Sequence, residues 1–311
     1  MDTLFIIGNG FDLAHGMPTQ YSDFRRFLIE TYPEAAQRSK NMVSIDYLYS
    51  KSKEEIAVEF LLCAMDVACG ETWYDFEDAL ARIHFFDKWP KSQHEDDEDD
   101  DREQATNHLM KMLLMNDYVF DAINKYWGVF LSRWIRSVEN KIETGVYIKR
   151  GNIETLINQK NCKFFTFNYT KTLQILYGVK KVIHIHNRVG QKLIFGHGVD
   201  EVHYQEPAVN GHFGSMTCDE ILEYLRKNTG RQLKKYNKDF DDLLDINEVY
   251  SYGFSFSQVD SIYIKETIKK LSPDVTWYFT SYEAKNVEEL RVKKIKLRRY
   301  GYKGKFDIFE G

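Results

Sequence analysis

Met1-Asp-Thr-Leu-Phe-Ile-Ile-Gly8-Asn9-Gly10-Phe11-Asp12 opens the chain, and its order points to the fold. The apolar run Leu4 to Ile7 ends in Gly-Asn-Gly, and a helix start follows. A strand, a glycine turn and a helix N-terminus in this order aim backbone N–H groups at one point, which favours phosphate. A buried turn with no ligand fits the same glycines, and both readings stand at this point. Gly16 and Pro18 follow, then the amphipathic stretch Tyr21-Ser-Asp-Phe24-Arg-Arg-Phe27-Leu28. The spacing of Gly8, Gly10 and Gly16 is not the Gly-x-Gly-x-x-Gly of dehydrogenases. It points to consumption or sensing of a cofactor rather than hydride transfer.

Working outward, strand-like runs are expected at Thr3–Gly8, Cys162–Asn168, Lys181–His186, Lys192–His197, Val249–Phe256, Val275–Tyr282 and Val292–Arg298. Several are nearly continuous apolar runs, as suits strands buried on both faces of a parallel sheet. Helices are expected between them at Lys171–Tyr177, Cys218–Asn228, Ile262–Leu271 and Ala284–Leu290. The alternation predicts an α/β fold, a Rossmann-like doubly wound and mainly parallel sheet. Between the first two strands the apolar period is helical, most clearly at Lys53–Ala68, Thr72–Phe85 and Leu109–Lys141. The predicted organisation is therefore an α/β nucleotide-binding domain from residues 1–30 and 150–311, interrupted by a helical insertion over 31–149. Within it, Glu95-Asp-Asp-Glu-Asp-Asp-Asp101 reads as a solvated acidic loop near 94–102, without the spacing of a cation loop. Trp73, Phe76 and Leu80 share one helical stripe, a core signature, and Glu77 sits beside it.

The 311 residues include 43% hydrophobic and 15% aromatic positions, enough for a substantial core. A net charge of −5 argues against generic nucleic-acid binding but leaves room for a local basic patch. Cys63, Cys69, Cys162 and Cys218 form no CxxC pair and no zinc spacing, which predicts reduced thiols and a cytoplasmic protein. No secretory segment precedes the first strand, and no apolar run approaches the ~20 residues that cross a membrane.

Open α/β sheets bind ligands at the carboxyl ends of their strands, and four further strand ends carry useful chemistry. Asn168 follows Phe164-Phe-Thr166-Phe; its amide can bond a sugar hydroxyl, position a water or cap the next helix. In Val182-Ile-His184-Ile-His186-Asn187, alternation places both histidines on one face. One can act as a base near neutrality, and structural histidines are the competing reading. A two-histidine metal site lacks supporting Cys or carboxylate, so no metal is expected. His197 lies between Gly196 and Gly198. The last end, Tyr252-Gly253-Phe-Ser255-Phe-Ser257-Gln-Val-Asp260, offers glycine, hydroxyls and a carboxylate that also suits a helix cap.

These motifs resemble a known family in content and order. Ile6–Thr19 with Tyr21-Ser-Asp-Phe24, Trp73–Leu80, Thr166-Phe-Asn168-Tyr169-Thr170, His184-Ile-His186, Gly196-His197-Gly198 and Gly253-Phe-Ser255-Phe-Ser257 look like the motifs of the AbiH family of bacterial abortive-infection proteins. More distantly, Gly8-Asn9-Gly10-Phe11-Asp12 with Gly16-Met17-Pro18 is similar to the sirtuin-type opening Gly-Ala-Gly-x-Ser, then Gly-Ile-Pro. Thr166-Phe-Asn168-Tyr169 is similar to the Thr-x-Asn-Tyr-Asp of sirtuin-like NAD hydrolases, whose His-Gly aligns with His186-Asn187. That resemblance implies a sirtuin-like or DHS-like NAD-binding sheet with Asn168 and His186 catalytic. The expected binding residues are Gly8, Asn9, Gly10, Phe11, Asp12, Gly16, His197, Gly253, Ser255 and Asp260. The departures are Asp12 for Ser, Thr170 for Asp and Asn187 for Gly, and no cysteine pairs supply the zinc ribbon of deacylases.

The function this implies is an anti-phage effector that binds NAD or a related nucleotide as substrate, with no permanent cofactor, and cleaves its N-glycosidic bond. A non-catalytic nucleotide sensor or interaction module is the alternative. Expected partners are the nucleotide, a second copy of the chain, and a phage-derived or defence-system protein as trigger; no membrane is expected.

Overall fold

The computed structural model describes residues 2–38, 50–67, 76–77, 80, 101–198, 223 and 225–311, with 63–64 and 101–120 as backbone only. The chain divides into two compact units. The first comprises residues 1–20, 132–194 and 227–311, and the second 21–131 and 195–226.

The first unit holds an all-parallel sheet of strands β1 (Asp2–Ile7), β2 (Asn161–Thr166), β3 (Ile183–His184), β4 (Ile246–Tyr252), β5 (Thr276–Thr280) and β6 (Lys305–Phe309). Their order is β3-β2-β1-β4-β5-β6, so the direction of winding reverses between β1 and β4. A crevice opens at such a point at the carboxyl ends of the strands. β1 is buried on both faces, as its unbroken Leu-Phe-Ile-Ile requires. Leu4 and Ile6 join one core with Phe165, Val249, Trp277, Phe279 and the helix residues Tyr263, Ile264, Leu290 and Leu297. Phe5 and Ile7 join the other with Phe164, Tyr250, Phe11, Ile153 and Leu173. Across the second face, Phe164, Phe5, Tyr250 and Tyr278 form a stacked row with ring separations of 5.2, 5.2 and 4.4 Å. Register places Ile7 opposite both Thr166 and Tyr252, so the three central strands end level.

Two expected strands are corrected. Val292–Arg298 is part of the helix Val287–Arg299. The alternation of Val-Lys-Lys-Ile-Lys-Leu looked like a strand, but Leu290, Lys293 and Leu297 bury one helical face. Asn286 caps the helix by accepting from the Glu289 amide, with Glu288 and Glu289 in the first turn and Lys296, Arg298 and Arg299 in the last. The final strand is instead β6, a short edge strand whose mixed polarity hid it. Lys192–His197 forms no strand; His197 makes one isolated bridge with Arg226. The helices expected at Lys53–Ala68, Leu109–Lys141, Lys171–Tyr177 and Ile262–Leu271 are found as Lys53–Val67, Asp101–Glu143, Thr172–Tyr177 and Ser261–Lys270. Ala284–Leu290 falls across two helices, Ser281–Ala284 and Val287–Arg299. Most of Thr72–Phe85, most of Cys218–Asn228 and the acidic run before Asp101 lie outside the described residues.

The second unit contains the helices Tyr21–Thr31, Pro33–Arg38 and Lys53–Val67 and the helix Asp101–Glu143 as far as Leu131. Trp127 donates its indole N–H to the Ala57 carbonyl at 2.9 Å, and Tyr32 packs edge-on against Phe130. Among the described residues no helix is long and apolar enough to cross a membrane.

The close contact between the β1 and β4 turns sets a test. A Cβ at Gly253, where φ is +59, would lie 2.3 Å from the Gly10 Cα. Gly253→Ala should cost about 3 kcal/mol or more, combining overpacking with the left-handed backbone. Gly145→Ala, at φ +77 with open space around it, should cost only about 1 kcal/mol. Equal denaturation midpoints for the two variants would overturn the contact.

Candidate functional site

The site begins where β1 and β4 meet backbone to backbone. Gly8 N–H donates to the Tyr252 carbonyl and Gly10 N–H to the Gly253 carbonyl, each at 3.0 Å. A Cβ on Gly8 would lie 2.5 Å from the Gly253 oxygen, and one on Gly10 would lie 2.6 Å from the Gly253 Cα. The glycines are therefore required by close approach, and their two amides are occupied by the sheet's own carbonyls. The helix that follows, Asn9–Ala14, is one and a half turns long. Asn9 ties its side chain to the Thr19 carbonyl at 2.9 Å, Phe11 is buried against Tyr252, and Gly16 turns the chain at φ +74.

Asp12 is buried, 1% exposed. Its two oxygens accept from the Thr170 hydroxyl at 2.6 Å and the Thr172 hydroxyl at 2.7 Å. Burial pushes its carboxyl up to about 6, against lowering by these hydroxyls and the Asn168 amide. Glu139, itself buried and accepting from the Lys171 amide at 2.8 Å, adds to the upward push. Asn168 stands at the end of β2 and donates Nδ2 to the Gly8 carbonyl at 3.0 Å. It does not cap the next helix, whose N-cap is Lys171. Its Oδ1 is the acceptor it can offer a ligand.

The two histidines part company because β3 ends at His184. His184 donates Nδ1–H to the Asn168 carbonyl at 3.1 Å and accepts the Gln174 amide at Nε2 at 2.7 Å. Both nitrogens are spent, and burial holds its pKa down at about 4. His184 is structural. The backbone then turns through Asn187 at φ 62, a left-handed conformation that Asn tolerates better than most residues. His186 is buried between Phe167 and Tyr263 and bonds Asp260 Oδ1 through Nε2 at 2.9 Å. A carboxylate only accepts, so Nε2 carries a proton and Nδ1 of the neutral ring holds the lone pair.

Asp260 occupies the N-cap position of the helix Ser261–Lys270, yet its side chain makes no cap bond. It turns instead to His186, to the Ser257 hydroxyl at 3.4 Å and to the Lys227 ammonium at 3.7 Å. Burial would raise its pKa, but Lys227 and His186 overcome that and hold the carboxyl below the usual range.

The sheet thus brings together Gly8, Gly10, Asp12, Asn168, His186, Gly253 and Asp260. Ser255 is exposed on the loop after β4, and His197 belongs to the second unit. Lys227, Thr172 and Glu139 were not foreseen. Thr172 had a signal, since it follows Thr170 by two residues; Lys227 and Glu139 had none, being joined to the site only by the fold. Among the described residues no cluster of His, Cys, Asp or Glu suits a metal.

A family model described as Bacteriophage abortive infection AbiH matches residues 4–281. The chain belongs to the AbiH family. Comparisons with curated proteins and with solved structures gave no match. The AbiH match takes in β1 to β5 and each site residue named above, and stops short of β6 and the helix Val287–Arg299.

Two buried groups of this AbiH-family site make opposite pH signatures. Between Asp12's ordinary value of 3.8 and about 6, the folded state holds the extra proton, so this contribution falls as pH rises. Between about 4 and His184's ordinary value of 6.5, the unfolded state holds the extra proton, so that contribution rises with pH. The two slopes offset each other over roughly pH 4–6. Asp12→Asn should therefore gain on wild type by on the order of 3 kcal/mol from pH 4 to 6. His184→Gln should lose by a similar amount, on the order of 3 kcal/mol, over the same range. Denaturant melts at successive pH values read both differences, and a pH-independent difference would remove the corresponding proton assignment.

Proposed function

We propose that this abortive-infection protein binds NAD or a related nucleotide at the carboxyl ends of β1, β2 and β4 and hydrolyses its N-glycosidic bond. The observation that carries the reading is the buried His186–Asp260 pair at 2.9 Å, which joins the segments that follow β3 and β4 in a sheet whose order reverses between β1 and β4. That order, 3-2-1-4-5-6, is the one used by dinucleotide-binding doubly wound sheets, which supports a Rossmann-like assignment.

The chemistry asks little of the protein beyond positioning and one base. Water adds to the ribose carbon as its bond to the nicotinamide nitrogen breaks, through an oxocarbenium-like state. Nicotinamide leaves with the bonding pair, and the water's proton passes to His186 Nδ1. Asp260 holds Nε2–H and stabilises the imidazolium that forms, while Lys227 keeps Asp260 ionised. Asn168 Oδ1 accepts from a ribose hydroxyl or from the water.

Two of the departures from the sirtuin-type pattern, Asp12 for Ser and Thr170 for Asp, meet in a hydrogen bond of 2.6 Å. Asp12→Ser with Thr170→Asp should restore the bond in reverse, leaving the double variant about 1–3 kcal/mol more stable than the sum of the singles. Strict additivity would show that the two positions are unrelated.

A sensor without turnover is favoured by one observation, the engagement of the Gly8 and Gly10 amides within the sheet. Incubating the protein with NAD, alone and with extract of phage-infected cells, separates the two readings. Hydrolysis predicts nicotinamide and ADP-ribose in equal amounts, with rates reduced about 10²-fold or more by His186→Ala and Asn168→Ala. Saturable NAD binding without products in either condition would establish the sensor, and turnover unaffected by both variants would overturn this site. Location in the cytoplasm and activation by a phage-derived protein or a second copy belong to the same proposal.

A further inference from the structure

Residues 291–305 carry eight Lys or Arg and no Asp or Glu, in a chain whose net charge is −5. Part of this charge is neutralised. Lys293 is buried against Glu283 and Glu289 at 2.8 and 3.0 Å, and Arg291 pairs with Glu288 at 2.7 Å. Lys294, Arg298, Arg299, Lys303 and Lys305 make no ion pair with any described carboxylate.

The placement of these charges is ordered. Arg291, Lys294 and Arg298 follow at i, i+3 and i+7, so they share one flank of the helix Val287–Arg299 over about 10 Å. Lys294 and Arg298 both lie over the ring of Phe306, at 5.6 and 4.5 Å from its centroid. Arg298 also donates to the Tyr302 carbonyl at 2.9 Å and stacks on the Tyr302 ring at 5.3 Å. Phe306 lies on β6, the edge strand, on the core face that this helix covers. Asp307, the next acidic residue, points to the opposite face by strand alternation. Two cations thus lie within reach of one ring, and neither pairs with a described carboxylate.

We propose that this strip binds the phosphodiester backbone of a nucleic acid. The inference stands apart from the nucleotide site. A row of cations spaced along a helix suits a repeating phosphate and reads no sequence. The exposed apolar residues of the helix, Val287, Val292 and Ile295 at 75%, 39% and 38%, are too few for a face that inserts among acyl chains. The acidic remainder of the chain repels a polyanion and confines contact to this strip. The strip lies beyond residue 281, where the family match ends, so it is a property of this chain rather than of the matched region.

The test is fluorescence anisotropy of the full chain with labelled single-stranded DNA, single-stranded RNA and duplex DNA of about 20 nucleotides, over a salt series from about 50 mM. Saturable binding is expected, with affinity falling against salt on a log–log slope of about −2 to −4. Lys294→Gln with Arg298→Gln and Arg299→Gln should weaken binding about tenfold or more and flatten the slope by about 2. Because Arg298 also anchors the turn after its helix, Lys294→Gln with Arg299→Gln, checked by thermal melt, serves as the second variant and should lose at least about threefold. Lys180→Gln with Lys181→Gln, exposed beside β3, should bind as wild type. Absence of saturable binding to all three probes, equal weakening by the Lys180 and Lys181 changes, or tighter binding to poly-glutamate or phosphatidylserine vesicles would each overturn the proposal.

Discussion

The approach of two backbones without side chains between them, Gly8 and Gly10 against Gly253, is the constraint on which the rest of the carboxyl edge depends. It lets β1 and β4 continue their pairing beyond the last ladder residues, with both glycine amides donating across the gap at 3.0 Å. The Gly8 carbonyl accepts both the Phe11 N–H and the Asn168 amide, which draws the end of β2 to the same point. On the β4 side, Phe254 and Phe256 enter the core, and that path delivers Ser257 and Asp260 to His186. A single Cβ at Gly253 would therefore disturb Asn168 and Asp260 together, although neither touches it.

Charge is buried more deeply at this edge than at the amino ends of the strands. At the amino ends of the strands, Lys160 and Glu248 also form an ion pair, but their side chains remain 20% and 16% exposed. At the carboxyl edge the side chains of Lys227, Asp260 and His186 are 1%, 9% and 5% exposed. Replacing buried ion pairs by apolar residues of similar volume is often neutral or stabilising, so packing alone gives no reason to place a cation there. Its placement accords with a requirement to keep Asp260 ionised and His186 turned through Nε2. Asp12 answers a different need. Hydroxyls of Thr170 and Thr172 satisfy it, and no described cation is held against it, so it joins β1 to the segment after β2.

What could be read from residues alone follows from what is local. The unbroken apolar runs of β1, β2 and β4 announced a parallel sheet, and the polar residues just past them announced the edge that holds Asn168, His186 and Asp260. Val292–Arg298 misled because lysine stems bury like apolar residues on a helix while their charges mimic strand alternation. β6 escaped because an edge strand needs no apolar run. His184 and His186 seemed to share a face because alternation was carried one residue too far; the strand stops, and the left-handed Asn187 turns the chain. Lys227 could not be found at all. Its relation to Asp260 exists only after the chain between His186 and β4 has folded back.

Asp12, Thr170 and Asn187 each answer a local demand of the fold. A carboxylate on the turn after β1 and a hydroxyl on the turn after β2 share a hydrogen bond of 2.6 Å. Asn187 holds a φ of 62 that admits few other residues. The acid is 1% exposed, and burial rather than a cation governs it, pushing its carboxyl up to about 6. Two hydroxyls and no described cation hold it, which separates it from Asp260, whose ionised form Lys227 and His186 favour.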